Sequence, residues 1–376
     1  MILKTKVFQD VANKVLIAAD LDKNAANLEL VAKGNSLFLN ITNKEFYVSI
    51  KYALEAEEDF RAVVDASLFL SLISGIITDT FELIVSETNI VVKTGKSNYK
   101  LAMIYENDQL MKLPAIYIQN KTVEMTISND ILQSILNVNS KEIAKAKKIV
   151  NINELQKLYY IDQDGAFTFT DGACLNSFKL EKPVKLLLND RIVRLFKLFS
   201  EDVHFSFGYD ATSNGNIVTK ASFETAEVYM AAKITCDDTL LNRIQGPCTA
   251  TKNFINTTYD NHLVVAVPVL SAAVSRLLTF SRKSADNVEA RIPAVITLKQ
   301  DELTIQDAQG NIEVVTTENE SHVVDGYTLR LNLYDLKMVL DSCKNEHITI
   351  NCGNHRSVII HRGTISNLIP ELEQSI

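Results

Sequence analysis

The segment that decides the fold is Asp65-Ala66-Ser67-Leu68-Phe69-Leu70-Ser71-Leu72-Ile73, where apolar residues recur at helical spacing. Two short runs follow it, Phe81-Glu82-Leu83-Ile84-Val85 and Ile90-Val91-Val92-Lys93. Both runs alternate apolar and polar residues, which is typical of half-buried strands. The segment therefore predicts an amphipathic helix that is followed directly by a pair of strands.

The same pattern occurs twice more. One copy begins at Asn189-Asp190-Arg191-Ile192-Val193 and continues into Val203-His204-Phe205-Ser206-Phe207, and another begins at Asn332-Leu333-Tyr334-Asp335-Leu336 and continues into His347-Ile348-Thr349-Ile350. The helix starts lie about 125 and 142 residues apart in a chain of 376 residues. A chain of three similar units usually builds an extended or ring-like assembly rather than one enclosed catalytic pocket. The question for this chain is therefore which partner it binds.

The first unit indicates how each copy is built. Apolar positions over residues 6–19 predict a helix, and strands are expected at 28–32, 37–41 and 46–50, with a tight turn at 33–36 between the first two. The helix at 65–74 and its strand pair complete the unit. The fold class is thus α+β, with two helices over an antiparallel sheet in each unit. We place the domains at 1–119, 120–247 and 248–376, close to Pro114 and Pro247.

The composition is that of a globular protein, with 47% hydrophobic and 22% charged residues. No run of about 18 apolar residues exists, and the first residues carry no apolar signal-peptide core, so we expect a cytoplasmic protein without a membrane segment. Five widely spaced cysteines are expected to be free thiols. The net charge of −8 argues only weakly against nucleic acid, because binding depends on where the charges lie.

Two motifs suggest chemistry, and both have a simpler interpretation. Thr94-Gly95-Lys96-Ser97 resembles the end of a phosphate-binding loop, but Ile90 stands where that loop needs glycine, and a hairpin turn is favoured. Cys343, His347, Cys352 and His355 have a spacing that could hold zinc. A strand through His347 would turn it and Cys352 to opposite faces. We therefore expect no metal, no cofactor and no catalytic site.

Basic residues recur at related helix positions in all three units. Arg191, Arg194 and Lys197 have i, i+3, i+6 spacing on one helix, and this places them on one side of it. Such a helix alone is more often a solvated face, but recurrence in three units favours a cationic surface for a phosphate backbone. The residues expected to face DNA are Lys14, Lys141, Lys145, Lys148, Arg191, Arg194, Lys197 and Arg276.

Four segments carry a resemblance to a known family. They are Phe60-Arg61-Ala62-Val63-Val64-Asp65-Ala66-Ser67-Leu68-Phe69 and Lys93–Leu101, then Phe169-Thr170-Asp171-Gly172-Ala173-Cys174-Leu175, and finally Asn367-Leu368-Ile369-Pro370-Glu371-Leu372. In order and spacing, across nearly the whole chain, they resemble the bacterial β sliding clamps, the processivity factors of replicative DNA polymerases. The resemblance implies a head-to-tail homodimer of three-domain subunits that closes a six-domain ring around duplex DNA.

The resemblance also implies two binding surfaces. Short peptides of the polymerase, the clamp loader and other replication or repair proteins would enter a pocket formed by Leu155, Thr170, Gly172, Leu175, Leu240, Asn332, Asn367, Ile369 and Pro370. The subunit interface would use Lys96, Tyr99, Leu101, Met103, Leu277 and Phe280.

The sequence departs from the family at several pocket positions. Ala173 and Cys174 replace a typical His-Arg pair, Ile369 replaces a methionine, and Asp335 replaces a tyrosine. We therefore expect a divergent clamp with an altered peptide preference. Two other interpretations remain open at this point: a repeat-built assembly protein that does not encircle DNA, and a metal- or carboxylate-dependent enzyme.

Overall fold

The computed structural model describes residues 1–21, 27–139, 158–169, 173–211, 217–234, 238–282, 292–353 and 355–372. The chain divides into two compact units. The first contains residues 1–129 and 195–234, and the second contains 130–194 and 235–376. The three-domain division proposed from the sequence stays a prediction, although its boundary at 247 falls inside a helix that contains Pro247.

The helices are short and lie mostly where the repeat predicts them. They are α1 Thr5–Ala19, α2 Ala66–Ser74, α3 Asn129–Ser134, α4 Asp190–Arg194, α5 Asp238–Ile255, α6 Val267–Arg282 and α7 Leu333–Asp341. A π-helical turn, Ile135–Asn139, extends α3, and a 3₁₀ turn, Leu195–Leu198, extends α4. The three repeated helices are thereby confirmed as α2, α4 and α7. Within the described ranges, no helix has both the length and the apolar character needed to cross a membrane.

Antiparallel strands make up the rest of the fold. They are β1 Ile2–Lys4, β2 Asn27–Thr42, β3 Phe46–Asp65, β4 Thr80–Val85, β5 Asn89–Thr94, β6 Ser97–Ala102, β7 Tyr105–Glu106, β8 Gln109–Leu110, β9 Lys121–Ile127, β10 Leu158–Asp162, β11 Gly165–Phe169, β12 Ala173–Ser177, β13 Lys185–Asn189, β14 Val203–Ala211, β15 Ile217–Glu224, β16 Val228–Ile234, β17 Asn261–Ala266, β18 Pro293–Lys299, β19 Glu302–Asp307, β20 Ile312–Thr316, β21 Thr328–Asn332, β22 His347–Gly353, β23 His355–Arg362 and β24 Ile365–Pro370.

Each unit contains one large sheet that joins segments far apart in sequence. In the first unit the large sheet has the order β2-β3-β16-β15-β14-β9, and a smaller sheet has the order β1-β4-β5-β6. In the second unit the orders are β13-β10-β11-β12-β24-β23-β22-β17 and β20-β19-β18-β21. The pairs β3–β16 and β12–β24 join the two halves of the large sheets, and we call them the first seam and the second seam.

The predicted turn at 33–36 is wrong, because β2 continues through it as one strand. Gly34 adopts a φ of 56°, and the pairing with β3 shifts register between Gly34 and Ser36. This is a β-bulge, in which Gly34 takes the left-handed conformation and the extra residues lie in β3, which advances five residues, from Glu58 to Ala53, while β2 advances two. A local Gly-Asn pair indicates a turn or a bulge equally well, and the partner strand decides between them.

The core of the first unit forms between α1, α2 and the sheets. Phe8 is fully buried, and its ring meets Tyr52, Phe69 and Phe81 edge-on at centroid distances of 5.2, 6.3 and 5.4 Å. In the second unit, α6 and α7 pack on their sheets through buried leucines and valines such as Leu270, Val274, Leu333 and Leu336. The cores are therefore ordinary apolar layers between helices and sheets.

The two motifs that suggested chemistry both have structural roles. Gly95 has a φ of 57° and connects β5 to β6, which confirms the hairpin turn. Cys352 is fully buried in the second unit's core, whereas His347 is exposed on the same strand and lies 3.4 Å from Glu318.

The N-cap of helix α2 can be tested by mutation. The Asp65 carboxylate caps it by accepting a hydrogen bond of 2.8 Å from the Leu68 amide. We expect Asp65→Ala to lower the free energy of unfolding by about 1 kcal/mol, because an amide of the first turn loses its partner. Asp65→Ser should retain most of the stability. Urea denaturation followed by circular dichroism checks both variants, and equal midpoints would contradict the cap.

Candidate functional site

The second seam pairs two of the segments that carry the family resemblance, one on β12 and one on β24. Strands β12 and β24 pair so that Leu175 lies opposite Leu368, Asn176 opposite Asn367 and Ser177 opposite Ser366. Leu175 is fully buried and Leu368 is 4% exposed. Because side chains alternate between faces, the seam presents leucines on one face and asparagines on the other.

The leucine face belongs to an apolar cluster that helix α5 covers, which we call the junction cluster. Leu240, Ile244 and Cys248 recur every fourth residue along α5 and pack against Leu175 and Leu368. The remaining buried members are Tyr160, Phe167, Leu187 and Ile359, and the partly buried members are Leu158, Leu241, Phe254, Ile255 and Tyr259. Burial raises the pKa of the Cys248 thiol to about 12, so this cysteine is neutral and acts as a small apolar residue.

The structure does not bring Ile369 to this face. Ile369 is 2% exposed and belongs to the core around Leu333 and Val358, on the opposite side of β24 from Leu368. A one-residue difference in a strand inverts the face, so Leu368 rather than Ile369 packs with Leu175, and the place of Ile369 in a peptide pocket stays a prediction. Pro370 is half-buried, lies opposite Ser357 and is on the same face of β24 as Leu368. Strict alternation along 366–370 could have revealed Leu368.

Asn367 lies in a buried polar ladder rather than in the apolar cluster. Its Nδ2 donates to Asn176 Oδ1 at 3.1 Å, and its Oδ1 accepts from Arg362 Nε at 2.7 Å. Asn176 in turn donates to Asn139 at 3.2 Å and accepts from Ser134 at 2.8 Å. The three asparagines are 0% exposed. This amide ladder ties β12, β24 and the turn after α3 together.

Arg362 ends the ladder as a buried cation with neutral partners. It is 7% exposed and donates to Asn367, to Ser134 Oγ and to the Ser342 carbonyl, the last at 3.1 Å. No carboxylate lies within ion-pair distance of it among the described residues. Burial lowers the pKa of its guanidinium. A charge held only by neutral acceptors makes the ladder sensitive to the loss of any one of them.

Other predicted pocket residues have different places. Asn332 is 1% exposed and caps α7, accepting from the amides of Tyr334 at 3.2 Å and Ile292 at 3.1 Å. That role is structural, and the N-cap asparagine at a strand-to-helix turn could have been recognised in the sequence. Leu155, Thr170 and Gly172 lie outside the described residues.

A charged group borders the junction cluster and was missed in the sequence. Lys252 of α5 donates to Asp162 at 2.7 Å and to Asp164 at 2.8 Å, and its ammonium lies 5.7 Å from the centre of the Phe167 ring. Lys179 also contacts Asp164 at 2.6 Å. Hydrogen bonds from Lys179 and Lys252 lower the pKa of Asp164, which keeps it ionised. These ion pairs hold the last turns of α5 against the sheet.

Of the cations expected to face DNA, those that the structure describes are exposed or half-buried, and most of them have a carboxylate partner. Along α4 and its 3₁₀ extension, Arg191, Arg194 and Lys197 are exposed while the apolar residues between them are buried. Arg194 lies 3.0 Å from Asp190, and Lys197 has no carboxylate partner among the residues that the structure describes.

The two remaining described cations are each bonded to a carboxylate. Lys14 lies 3.3 Å from Glu227, and Arg276 makes two bonds of 2.7 Å to Glu313. Lys141, Lys145 and Lys148 lie outside the described ranges. The cationic surface is thus partly neutralised, as suits a weak contact rather than a tight one.

The residues expected at the subunit interface lie at a sheet edge in the first unit and near the end of helix α6 in the second. Strand β6 ends the sheet of the first unit, with Tyr99 45% exposed, Lys96 exposed and Leu101 half-buried, whereas Met103 is buried. In the second unit Phe280 is 59% exposed, but Leu277 is 2% exposed and belongs to the unit's own core. Leu277 therefore packs inside its own unit and is not available as a contact residue, although it lies one helical turn from Phe280.

Solved structures show the same fold along the entire chain. Crystal structures of the Pseudomonas aeruginosa DNA polymerase III subunit beta (16% identity, TM-score 0.67, 100% of both chains), the Helicobacter pylori beta clamp bound to a DNA ligase peptide (15%, 0.69, 99% of both) and the Streptococcus pyogenes DNA polymerase beta subunit (14%, 0.69, 99% of both) are similar to it. No protein-family model matches the chain, and no curated protein matches it by sequence. The resemblance seen in the sequence is confirmed for the fold.

The amide ladder gives a prediction for the second seam. Asn367→Ala should lower the free energy of unfolding by about 1–3 kcal/mol, because Arg362 and Asn176 each lose a buried partner. The control is Asn35→Ala, which removes an exposed asparagine beside Gly34 whose side chain makes no hydrogen bond among the described residues. Urea denaturation checks both, and an Asn367→Ala midpoint equal to that of the control would contradict the role of the ladder.

Proposed function

We propose that the chain is a DNA sliding clamp that encircles duplex DNA and holds a replicative polymerase and other replication or repair proteins on it. The proposal rests on the fold match to DNA polymerase III β subunits over 99–100% of both chains. In this role the protein binds and tethers without catalysing a reaction, and it works in the cytoplasm on nucleoid DNA. The cationic helix α4 and the two open sheet edges support the proposal.

Ring closure would use the two sheet edges. Strand β6 pairs only with β5, and β20 pairs only with β19, so each has one edge without a strand partner among the described residues. Both edges expose apolar side chains, Tyr99 on β6, and Ile312 and Val314 on β20, with Phe280 also exposed in the same unit. Unpaired apolar edges favour association. Contact of one copy's β6 edge with the other copy's β20 edge is head-to-tail, and two such contacts close a ring.

The charge pattern suits DNA that slides. A ring is retained by topology, so its contacts with phosphates need no sequence preference and little strength. The pairing of Arg194 with Asp190 and of Arg276 with Glu313 leaves only part of the positive charge available to DNA. Weak, salt-sensitive contacts allow motion along the duplex, whereas a dense unpaired cationic surface would hold one position.

The junction cluster is the proposed site for partner peptides. Its partly buried members, among them Leu158, Leu241 and Phe254, would present an apolar surface beside Leu175 and Leu368. The H. pylori beta clamp has been solved with a DNA ligase peptide, which shows that this fold accepts peptides. For this chain we propose apolar peptide side chains, since the described lining is leucine and aromatic.

The DNA-binding surface can be tested by charge reversal. We expect Arg191→Glu, Arg194→Glu and Lys197→Glu together to abolish binding to a short duplex and retention on nicked circular DNA. For the unchanged protein, the slope of log K against log salt should reach about −0.9 for each phosphate contacted. Fluorescence anisotropy over a salt series measures it. Retention of the unchanged protein should also end when the circle is linearised.

The control carries the same change of charge at a different place. Lys44→Glu, Lys51→Glu and Lys233→Glu reverse three exposed lysines of the first unit, one in the turn between β2 and β3 and two on the large sheet. These changes should leave DNA retention intact. Equal loss of DNA retention in both triple variants would mean that net charge alone sets binding. Unchanged retention in the α4 variant would contradict the proposal that this helix faces DNA.

The interface can be tested with one apolar residue. Phe280→Asp should give monomers at micromolar concentration, because a carboxylate would be buried against the partner subunit. Tyr209→Asp is the matched control, since Tyr209 is 49% exposed on β14, away from both edges. Analytical ultracentrifugation distinguishes the outcomes, and a Phe280→Asp protein that stays dimeric would overturn the interface assignment.

A further inference from the structure

A groove in the first unit has no place in the proposed function. Its volume is about 750 Å³, which is within the usual range of ligand sites. One side of it is the segment 111–118, which runs without regular structure between β8 and β9. The floor is one face of the large sheet at the first seam. The groove therefore lies at the first seam, as the junction cluster lies at the second seam.

The floor is a row of polar and aromatic side chains across four strands. Asn40 on β2 lies opposite Ser49 on β3, Ser49 lies opposite Tyr229 on β16, and Tyr229 lies opposite Glu224 on β15. All four line the groove. The bulge at Gly34 shifts the alternation of β2, so that Glu29, before the bulge, also lines it. Bulges that re-aim side chains are common beside binding sites.

Asn40 supplies the observation that points to a ligand. It is 6% exposed, and its Nδ2 donates to Glu29 Oε2 at 2.9 Å. That bond fixes the amide orientation, and it leaves Oδ1 as a buried acceptor with no hydrogen-bond partner among the described residues. A buried polar atom without a partner costs about 1–3 kcal/mol, so such atoms usually mark a bound group. The missing partner is a donor.

Three tyrosines form an aromatic patch on the groove. The rings of Tyr47, Tyr117 and Tyr229 lie 5.8–6.1 Å apart between centroids, and Tyr117 is 57% exposed. Burial raises the pKa of Tyr47 above its ordinary range and that of Tyr229 to about 12, so both stay neutral. Neutral phenol rings attract cations through their faces.

The segment 111–118 is anchored through its carbonyls. Thr42 donates to the Pro114 carbonyl at 3.0 Å, Tyr229 to Ile116 at 3.0 Å and Lys220 to Tyr117 at 2.9 Å. Among the described residues, nothing accepts from the amides of 115–118. A segment whose carbonyls are bonded and whose amides are free can pair through those amides with an extended chain.

The groups on the floor of the groove indicate the class of ligand. The lining holds the carboxylates Glu29 and Glu224 and the cations Arg61, Lys112 and Lys121. Arg61 lies 2.7 Å from Glu29 and Lys121 lies 2.8 Å from Glu124, so Glu224 is the carboxylate open to a ligand on the floor, and Lys112 lies on the segment 111–118. Together with the Asn40 acceptor and the tyrosine rings, Glu224 makes the floor a surface of hydrogen-bond acceptors and π faces. A ligand that fits this floor carries hydrogen-bond donors. Arginine and lysine side chains match this set, and guanidinium combines several donors with a plane that stacks on tyrosine.

We propose that this groove binds an extended peptide segment of a partner protein that carries an arginine or lysine side chain. The peptide backbone pairs with 115–118, and the cationic side chain lies over Tyr229, donates to Asn40 Oδ1 and approaches Glu224. This site is separate from the junction cluster and does not depend on ring closure or on DNA.

The test selects peptides from a phage-displayed random heptapeptide library on the full chain. Selected peptides are then measured by fluorescence polarisation against Glu224→Lys and Tyr117→Ala, which alter exposed side chains and should leave the fold intact. We expect a class of peptides with a basic residue whose affinity falls about tenfold in each variant. Glu320→Lys, an exposed charge reversal elsewhere, should change nothing.

Each other outcome counts against the groove. Peptides whose affinity for both variants equals their affinity for the unchanged chain bind elsewhere. If all selected peptides behave in this way, the proposal fails. Variant-sensitive peptides that lack a basic residue would overturn the ligand chemistry. A crystal structure with the best peptide should place a basic nitrogen within hydrogen-bond distance of Asn40 Oδ1. Loss of DNA retention in the α4 variant is a separate result and does not affect this one.

Discussion

The pairing of β12 with β24 is the constraint on which the second unit depends. Without it, the eight-stranded sheet would separate into two sheets of four strands. Backbone bonds alone would allow the two strands to slip, because every register offers the same donors and acceptors. The amide ladder removes that freedom, since Asn176, Asn367 and Arg362 are satisfied in one register only. A fully bonded polar network inside an apolar core therefore sets which side chains reach each face.

The proposed function follows from what the seams and edges leave open. One face of the second seam collects leucines under α5, and this apolar cluster is the site proposed for peptides. The small sheets end in β6 and β20, whose open edges can associate. The cations of α4 are exposed, but Arg194 already has a carboxylate partner, so the attraction for phosphate is moderate. The proposed binding by topology needs no more attraction than that.

The two seams solve the same packing problem in different ways. In the second unit, α5 covers the apolar face, and Leu240 and Ile244 fill the space. In the first unit an extended segment crosses the seam, and its Ile116 is buried with Tyr47 while a groove stays open beside it. A helix buries its own polar backbone, whereas an extended segment leaves amides available. The first seam is thus the one with room and donors for a further chain.

The sequence by itself determined the α+β class, the three repeated helices and the strand pairs after them, because helical and strand periods are local properties of the chain. It also indicated the clamp fold, through motifs spread over the chain. Only the tertiary structure decided that Gly34 forms a bulge, that Leu368 rather than Ile369 joins Leu175, and that Leu277 is core. These outcomes depend on which distant strand pairs with which and in what register, and a shift of one residue inverts a face without changing the local pattern.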